Sequence, residues 1–140
     1  MLAVASRIKS YHDRKCDILA KKYGLTNLEV DILIFLDNNP AHNTAKDICS
    51  ISNLSKSSVS EAVESLTQKG YIRGTQDKND RRYIHLELED FAENILKEAD
   101  NMREEFQDIL LKGFSAQELK QVDDFFNRII ENTKDISQNL

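Results

Sequence analysis

A chain of 140 residues is long enough for one compact domain or for one protomer of an intertwined dimer. Two cysteines, Cys16 and Cys49, exclude a disulfide framework and agree with a reducing compartment. No apolar run approaches a membrane span and no charged-then-apolar leader opens the chain, so a soluble cytoplasmic protein is expected. The net charge of −5 argues against a nucleic-acid partner only as a sum: residues 1–52 carry +1, residues 53–85 carry +2 and residues 86–140 carry −8. Phosphate responds to the local field, and acid is concentrated in the last third.

One Pro and four Gly leave few breakers, so mostly helix is expected. Residues 2–23 read as a first helix, with Val4, Ile8, Tyr11, Ile18 and Leu19 as apolar positions and Gly24 as its stop. Thr26 and Glu29 then form a capping box, with Leu25 placed to staple onto Val30. Val30, Leu33 and Ile34 face inward in this second helix, Ile32, Phe35 and Leu36 widen its buried surface, and residues 38–40 (Asn-Asn-Pro) end it. Thr44 and Asp47 cap a short third helix through Ile51, and Ser52-Asn53 turns into a fourth. Ser55 is its N-cap, with Leu54 and Val59 at staple positions. Val59, Ala62, Val63 and Leu66 make one apolar stripe, while Lys56, Ser57, Ser60, Glu61 and Glu64 occupy the opposite face. Gly70 closes the helix. Two short strands follow, one beginning at residues 71–72 and one at residues 83–86, around a charged turn over residues 76–82. Phe91, Ile95, Leu96, Ala99, Met102, Phe106, Ile109 and Leu110 then hold a helical period until Gly113 breaks it. Ser115 and Glu118 make a third capping box, with Phe114 and Leu119 as its staple. Leu119, Val122, Phe125, Phe126, Ile129 and Ile130 give the last helix more apolar surface than one small protomer covers, and residues 137–140 should fray.

A short helix, a brief polar turn, a hydroxyl-capped helix and a basic hairpin together describe a winged helix-turn-helix. At these residues the chain resembles the MarR (multiple-antibiotic-resistance regulator) family. Ser55, Ser58, Val59, Ser60, Leu66 and Gly70 match the recognition-helix pattern of that family, and Asp77, Asp80 and Arg82 match its wing pattern. The position after the second hydroxyl, often basic in the family, is Glu61 here, and the usual Leu-Thr pair after the wing is Leu88-Glu89. The resemblance implies a mainly α fold with a small β-wing, organised as one domain over residues 1–140. Its DNA-binding lobe would span about residues 26–88. Helices at about residues 2–23 and 90–135 would build the interface of an intertwined homodimer. It also implies a ligand-responsive repressor of transcription on a pseudo-palindromic double-stranded operator. A small-molecule effector would bind near Tyr11 and His12.

Read for their own chemistry, Ser55, Lys56, Ser57, Ser58 and Ser60 sit where the positive end of a helix dipole meets phosphate and base edges. Glu61 could accept from a cytosine amino group, and Lys78, Arg81 and Arg82 at the hairpin suit the phosphate backbone and minor groove. Asp77 and Asp80 are expected to shape the wing, Asp80 by pairing with an arginine. His12 and Cys16, four apart on one helix, are a ligand pair that zinc accepts, yet two residues make half a site at best and no metal is assigned. Cys49 reads as core and His85 as a surface or packing residue. Neither a Gly-rich phosphate loop nor a nucleophile motif is present, so no enzyme activity and no cofactor are expected. The competing reading is a winged-helix protein-interaction module that has lost DNA binding, favoured by the acidic sum and by Glu61.

Overall fold

The structure, a computed structural model of the chain, describes residues 2–52 and 54–138. The element order is α1 (Leu2–Tyr23), α2 (Asn27–Asn38), α3 (Ala45–Ser52), α4 (Lys56–Gln68), β1 (Ile72–Gln76), β2 (Ile84–Leu88), a 3-10 turn (Asp90–Ala92), α5 (Glu93–Leu110) and α6 (Ala116–Gln138). Of the turn and the fraying expected from sequence, Asn53 and residues 139–140 lie outside the described residues. The chain forms two compact units, residues 1–102 and residues 103–140.

The first unit is built around one core. Leu19, Val30, Ile32, Leu33, Ile48, Val59, Leu66, Ile72 and Ile95 are almost wholly withdrawn from solvent. They come from α1 to α5 and β1, so each element contributes a stripe rather than a full surface. Among the described residues only the C-terminal half of α1 joins this core, through Cys16, Leu19 and Ala20, whereas Val4 and Ile18, two of its apolar positions, are exposed. Ile18 precedes Leu19 by one position and so points about 100° away from it on the helix. Ile34 and Phe35 are only partly buried while Ile32 and Leu36 are deep, which rotates the buried face of α2 from the expected one. Cys49, expected in the core, is packed at its margin and half-buried.

The capping chemistry accounts for the helix starts. Thr26 and Glu29 close a reciprocal box, with the Glu29 amide donating to Thr26 Oγ1 (3.2 Å) and the Thr26 amide to Glu29 Oε2 (2.8 Å). Thr44 and Asp47 repeat the arrangement before α3, at 3.2 and 3.0 Å. Each box satisfies amides that the first turn leaves without helical partners.

β1 and β2 form an antiparallel pair, in register from Ile72↔Leu88 to Gln76↔Ile84. Both strands begin one residue later than expected. The Tyr71 amide is used at the end of α4, donating to the Leu66 carbonyl (3.0 Å), and the Tyr83 amide closes the turn on the Asp80 carbonyl (3.0 Å). Gly70, with φ +80°, makes that helix end possible, because the left-handed region is costly for a side chain with a Cβ. A feature not expected from sequence is the fastening of β2 on its other edge. The Leu86 amide donates to the Asn43 carbonyl (2.8 Å), and Thr44 bridges His85. The wing is thereby held to the loop before α3.

In the second unit, Ser115 and Glu118 form the expected capping box of α6, with amide-to-side-chain distances of 2.8 and 3.3 Å. Along α6, Phe125, Phe126 and Ile130 are exposed, as are Ile109 and Leu110 at the end of α5. No helix among the described residues is long and apolar enough to cross a membrane.

Candidate nucleic-acid interface

The rotation of α4 is set from below. Val59, Ala62 and Leu66 are buried, which turns Lys56, Ser57, Ser60 and Glu61 outward near the helix N-terminus. Ser55 Oγ accepts from the Ser58 amide (3.1 Å) and lies 2.7 Å from the Ser58 hydroxyl. Ser58 is therefore part of the cap and half-buried, and less open to a ligand than its neighbours. Glu64 accepts from Gln68 (3.3 Å) one turn on. The outer face thus combines one cation, two hydroxyls and one carboxylate beside the positive end of the helix dipole.

The far end of α4 is tied to the start of α2 by a buried carboxylate. Glu29 is 2% exposed, and Lys69 Nζ reaches both of its oxygens (3.1 and 3.2 Å) as well as the Gly24 carbonyl (3.3 Å). Burial opposes ionisation of Glu29, but hydrogen bonds from Ser65, the Thr26 amide and Lys69 outweigh it, and its carboxyl lies below the ordinary glutamate range.

The wing is a set of interlocked carboxylates. Asp77 Oδ1 accepts from the amides of Asn79 (2.8 Å) and Asp80 (2.9 Å), and Oδ2 faces His85 Nε2 at 2.8 Å. The His85 hydrogen bond, followed by these two amides, holds the Asp77 carboxyl down at about 2. Asp80 accepts from the Arg82 amide (3.0 Å) and grips its guanidinium through Nε (3.0 Å) and Nη2 (2.8 Å). That leaves Arg82 with donors to spare on a side chain that is 87% exposed. Lys78 and Arg81 are exposed beside it. Arg73, by contrast, faces Glu87 across the strand pair at 2.7 Å and reaches Glu89 at 3.6 Å, so its charge is neutralised locally.

His85 is the residue that sequence reading missed. Its Nδ1 lies 2.7 Å from Asn43 Oδ1 while Nε2 faces Asp77, so one ring connects the wing turn to the loop before α3. The bridge between Thr44 and His85, beside Asn43, is what brings these groups together. Replacing His85 with Ala should speed hydrogen exchange at the Asn79 and Asp80 amides and move the Asp77 carboxyl up from about 2 toward its ordinary 3.8. Because Asp77 is depressed in the fold, its contribution is complete above 3.8 and is lost as pH falls through about 2. In the variant, with the depression reduced, that acid-side loss should be smaller. An NMR titration of Asp77 that is unchanged in His85→Ala would refute the latch.

On α1, Tyr11 is half-buried with Lys15 Nζ 5.4 Å from its ring centroid, and His12 is exposed. Neither lines the open polar groove of about 430 Å³ beside the helix, which is bordered by Ser6, Ser10, Arg14 and Asp17 among others. Cys16 is 5% exposed, and burial, with Asp31 and Asp13 nearby, pushes its thiol up to about 12. A thiol so held stays protonated at neutral pH and is a poor nucleophile toward oxidants. Asp31, from α2, approaches the pair from a position that spacing along α1 could not disclose, with Oδ1 3.6 Å from Cys16 Sγ.

Residues 23–82, covering α2 to the wing turn, match the sequence model of the MarR family. An HTH-type transcriptional regulator, BilQ, of Clostridioides difficile (strain CD3) is 28% identical over 107 residues, 76% of this chain and 72% of that protein. A Listeria monocytogenes protein described as a MarR family transcriptional regulator, in crystals with 26mer DNA, superposes with a TM-score of 0.80 at 20% identity. The match covers 96% of this chain and 89% of that one. A MarR transcriptional regulator from Methanosarcina mazei Go1 gives 0.77 at 17% identity over 96% of both chains. At these identities the structural likeness establishes the fold.

Proposed function

We propose, from the match of residues 23–82 to the MarR family model, that the chain is a transcriptional regulator that binds double-stranded DNA as a homodimer and releases it when a small-molecule effector binds. The observation that carries this reading is the pairing of two surfaces on one lobe. One is an α4 N-terminal face of Lys56, Ser57, Ser60 and Glu61, and the other is a wing tip of Lys78, Arg81 and Arg82. A helix of this width fits the major groove, and guanidinium groups on a hairpin reach the adjacent backbone or a narrow minor groove. The Listeria monocytogenes protein of the same fold was solved with 26mer DNA.

In this reading the DNA-binding lobe spans about residues 26–88, and helices at about 2–23 and 90–135 join two protomers around a two-fold axis, on a pseudo-palindromic operator. Ser55 and Ser58 shape the helix N-terminus, and Asp77 and Asp80 shape the wing. The effector lies beside Tyr11 and His12, and the work is done in the cytoplasm. No catalytic step is part of it.

A mobility-shift assay on duplex DNA at two salt concentrations tests the proposal, because phosphate neutralisation releases counterions and makes affinity fall steeply with salt. Binding that is absent, or indifferent to salt, favours a protein-interaction module instead. Two variants separate the surfaces. Arg82→Ala should weaken binding to most sequences alike and flatten the salt dependence by about one unit of slope for each phosphate it no longer neutralises. Glu61 gains nothing from phosphate, so if it reads cytosine, Glu61→Ala should relax preference at one position per half-site, a discrimination of ~1–3 kcal/mol. Tighter binding of Glu61→Ala to every sequence would show that the carboxylate is merely repulsive. A changed major-groove preference in Arg82→Ala, with the salt slope intact, would remove the wing from its assigned role.

A further inference from the structure

Between α1 and α2, apart from the DNA-binding surface, three different ligand types converge. Cys16 Sγ lies 3.6 Å from His12 Nε2 and 3.6 Å from Asp31 Oδ1, and one ligand atom from each of the three residues falls within 4.8 Å of the other two. We infer that His12, Cys16 and Asp31 form a binding site for a zinc-like divalent cation that clamps α1 to α2.

The distances have the scale such a site needs. Zinc takes sulfur at about 2.3 Å and nitrogen or oxygen at about 2.0–2.2 Å, so neighbouring ligand atoms on a tetrahedron sit about 3.5 Å apart. Both edges at Cys16 already have that length. The remaining edge closes by rotation of His12 and Asp31, whose side chains are exposed, while buried Cys16 is the fixed point. The donor set selects the ion. Magnesium and calcium demand oxygen cages, whereas one thiolate, one imidazole and one carboxylate suit zinc and its neighbours. His12 Nδ1 lies 3.7 Å from Cys16 Sγ and 3.8 Å from Asp13 Oδ1, so a turn of the exposed ring lets Nδ1–H donate to Asp13 and leaves Nε2 for the ion.

Charge and protons balance. The Cys16 thiol donates to Asp31. On binding, that proton leaves to solvent, and thiolate and carboxylate together offset the two positive charges of the cation, with neutral imidazole as third ligand. A fourth position stays open to water. The exposed rim at His12 and Asp31 provides the way in.

Cobalt(II) titrated into the full-length chain tests this directly, since a thiolate ligand gives a sulfur-to-cobalt charge-transfer band and a four-coordinate ion gives intense visible d–d bands. One cobalt per protomer with both signatures is expected, displaced by zinc. Cys16→Ser should abolish the charge-transfer band, and Cys49→Ser should leave it intact. His12→Ala and Asp31→Ala, at exposed positions where folding is not in question, should each weaken zinc at least about tenfold, because losing even an outer-shell partner costs that much. Circular dichroism confirms that every variant is folded. No band at saturating cobalt, a band that survives Cys16→Ser, or unchanged zinc affinity in both alanine variants would overturn the site and leave an ordinary thiol–carboxylate hydrogen bond.

Discussion

Phe125→Glu should leave the protein monomeric at micromolar concentration and cost it specific DNA binding in the same step. Phe125 is 65% exposed on α6, beside Phe126 at 59%, with Ile130 at 53% one turn further along, a contiguous apolar stripe of the kind soluble monomers rarely show. Burying a Phe stabilises an interface by roughly 2 kcal/mol, and a two-fold interface counts it twice, so about 4 kcal/mol or roughly a thousandfold in the dimer constant depends on this position. A carboxylate buried there without a partner costs more. A monomer reaches only one half-site, so affinity for a two-fold operator should fall by at least about a hundredfold. Light scattering and a shift assay on the same preparation read both effects. A folded wild-type monomer at micromolar concentration, or a Phe125→Glu dimer that still binds its operator, would dismiss the assembly proposed above.

Glu29→Gln should lower stability by about 1–2 kcal/mol without touching any surface offered to DNA. The carboxylate serves the cap of α2 and holds Lys69 at the end of α4, so one residue fixes the start of one helix and the exit of another. A glutamine at this position keeps one carbonyl oxygen to accept from the Thr26 amide, so the cap survives the substitution. The ion pair is discounted because the Lys69 side chain is 39% exposed and screened, which leaves the loss to the buried oxygen that becomes an NH2 group and can no longer accept. For a chain of this size the melting temperature should fall by roughly 3–8 °C. The sign of the pH effect follows from the direction of the shift. Glu29 is depressed below the ordinary 4.5, so its contribution is full above that value and lost as pH falls through the lower, folded one. The wild type should therefore show a steeper acid limb than Glu29→Gln. Equal stability of the two at neutral pH would mean that the network does not hold α4 in place. Because Glu29 lies outside the interface, any loss of DNA affinity in this variant should track the unfolded fraction.

The parts of this protein legible in its sequence are those that rest on local chemistry. Thr26–Glu29, Thr44–Asp47 and Ser115–Glu118 announce helix starts because a side chain three residues away meets a free amide in any context. The stripe of Val59, Ala62 and Leu66 settles which face of α4 looks outward, because helical period depends on nothing beyond the helix. The charge of the hairpin between β1 and β2 is legible in the same way. Which of those charges remain available is settled only by the packed fold. Arg73 counts as a cation in the sequence but is neutralised by Glu87, since the strand register sets them opposite one another. His85 changes from an ordinary strand residue into the tie between Asp77 and Asn43, a partner 42 positions away. Asp31 joins His12 and Cys16 only because α2 packs back on α1. The physical reason is common to all three. Caps and stripes are contacts within one turn or two, whereas these pairings exist only once the core has brought distant backbone segments within a few ångströms.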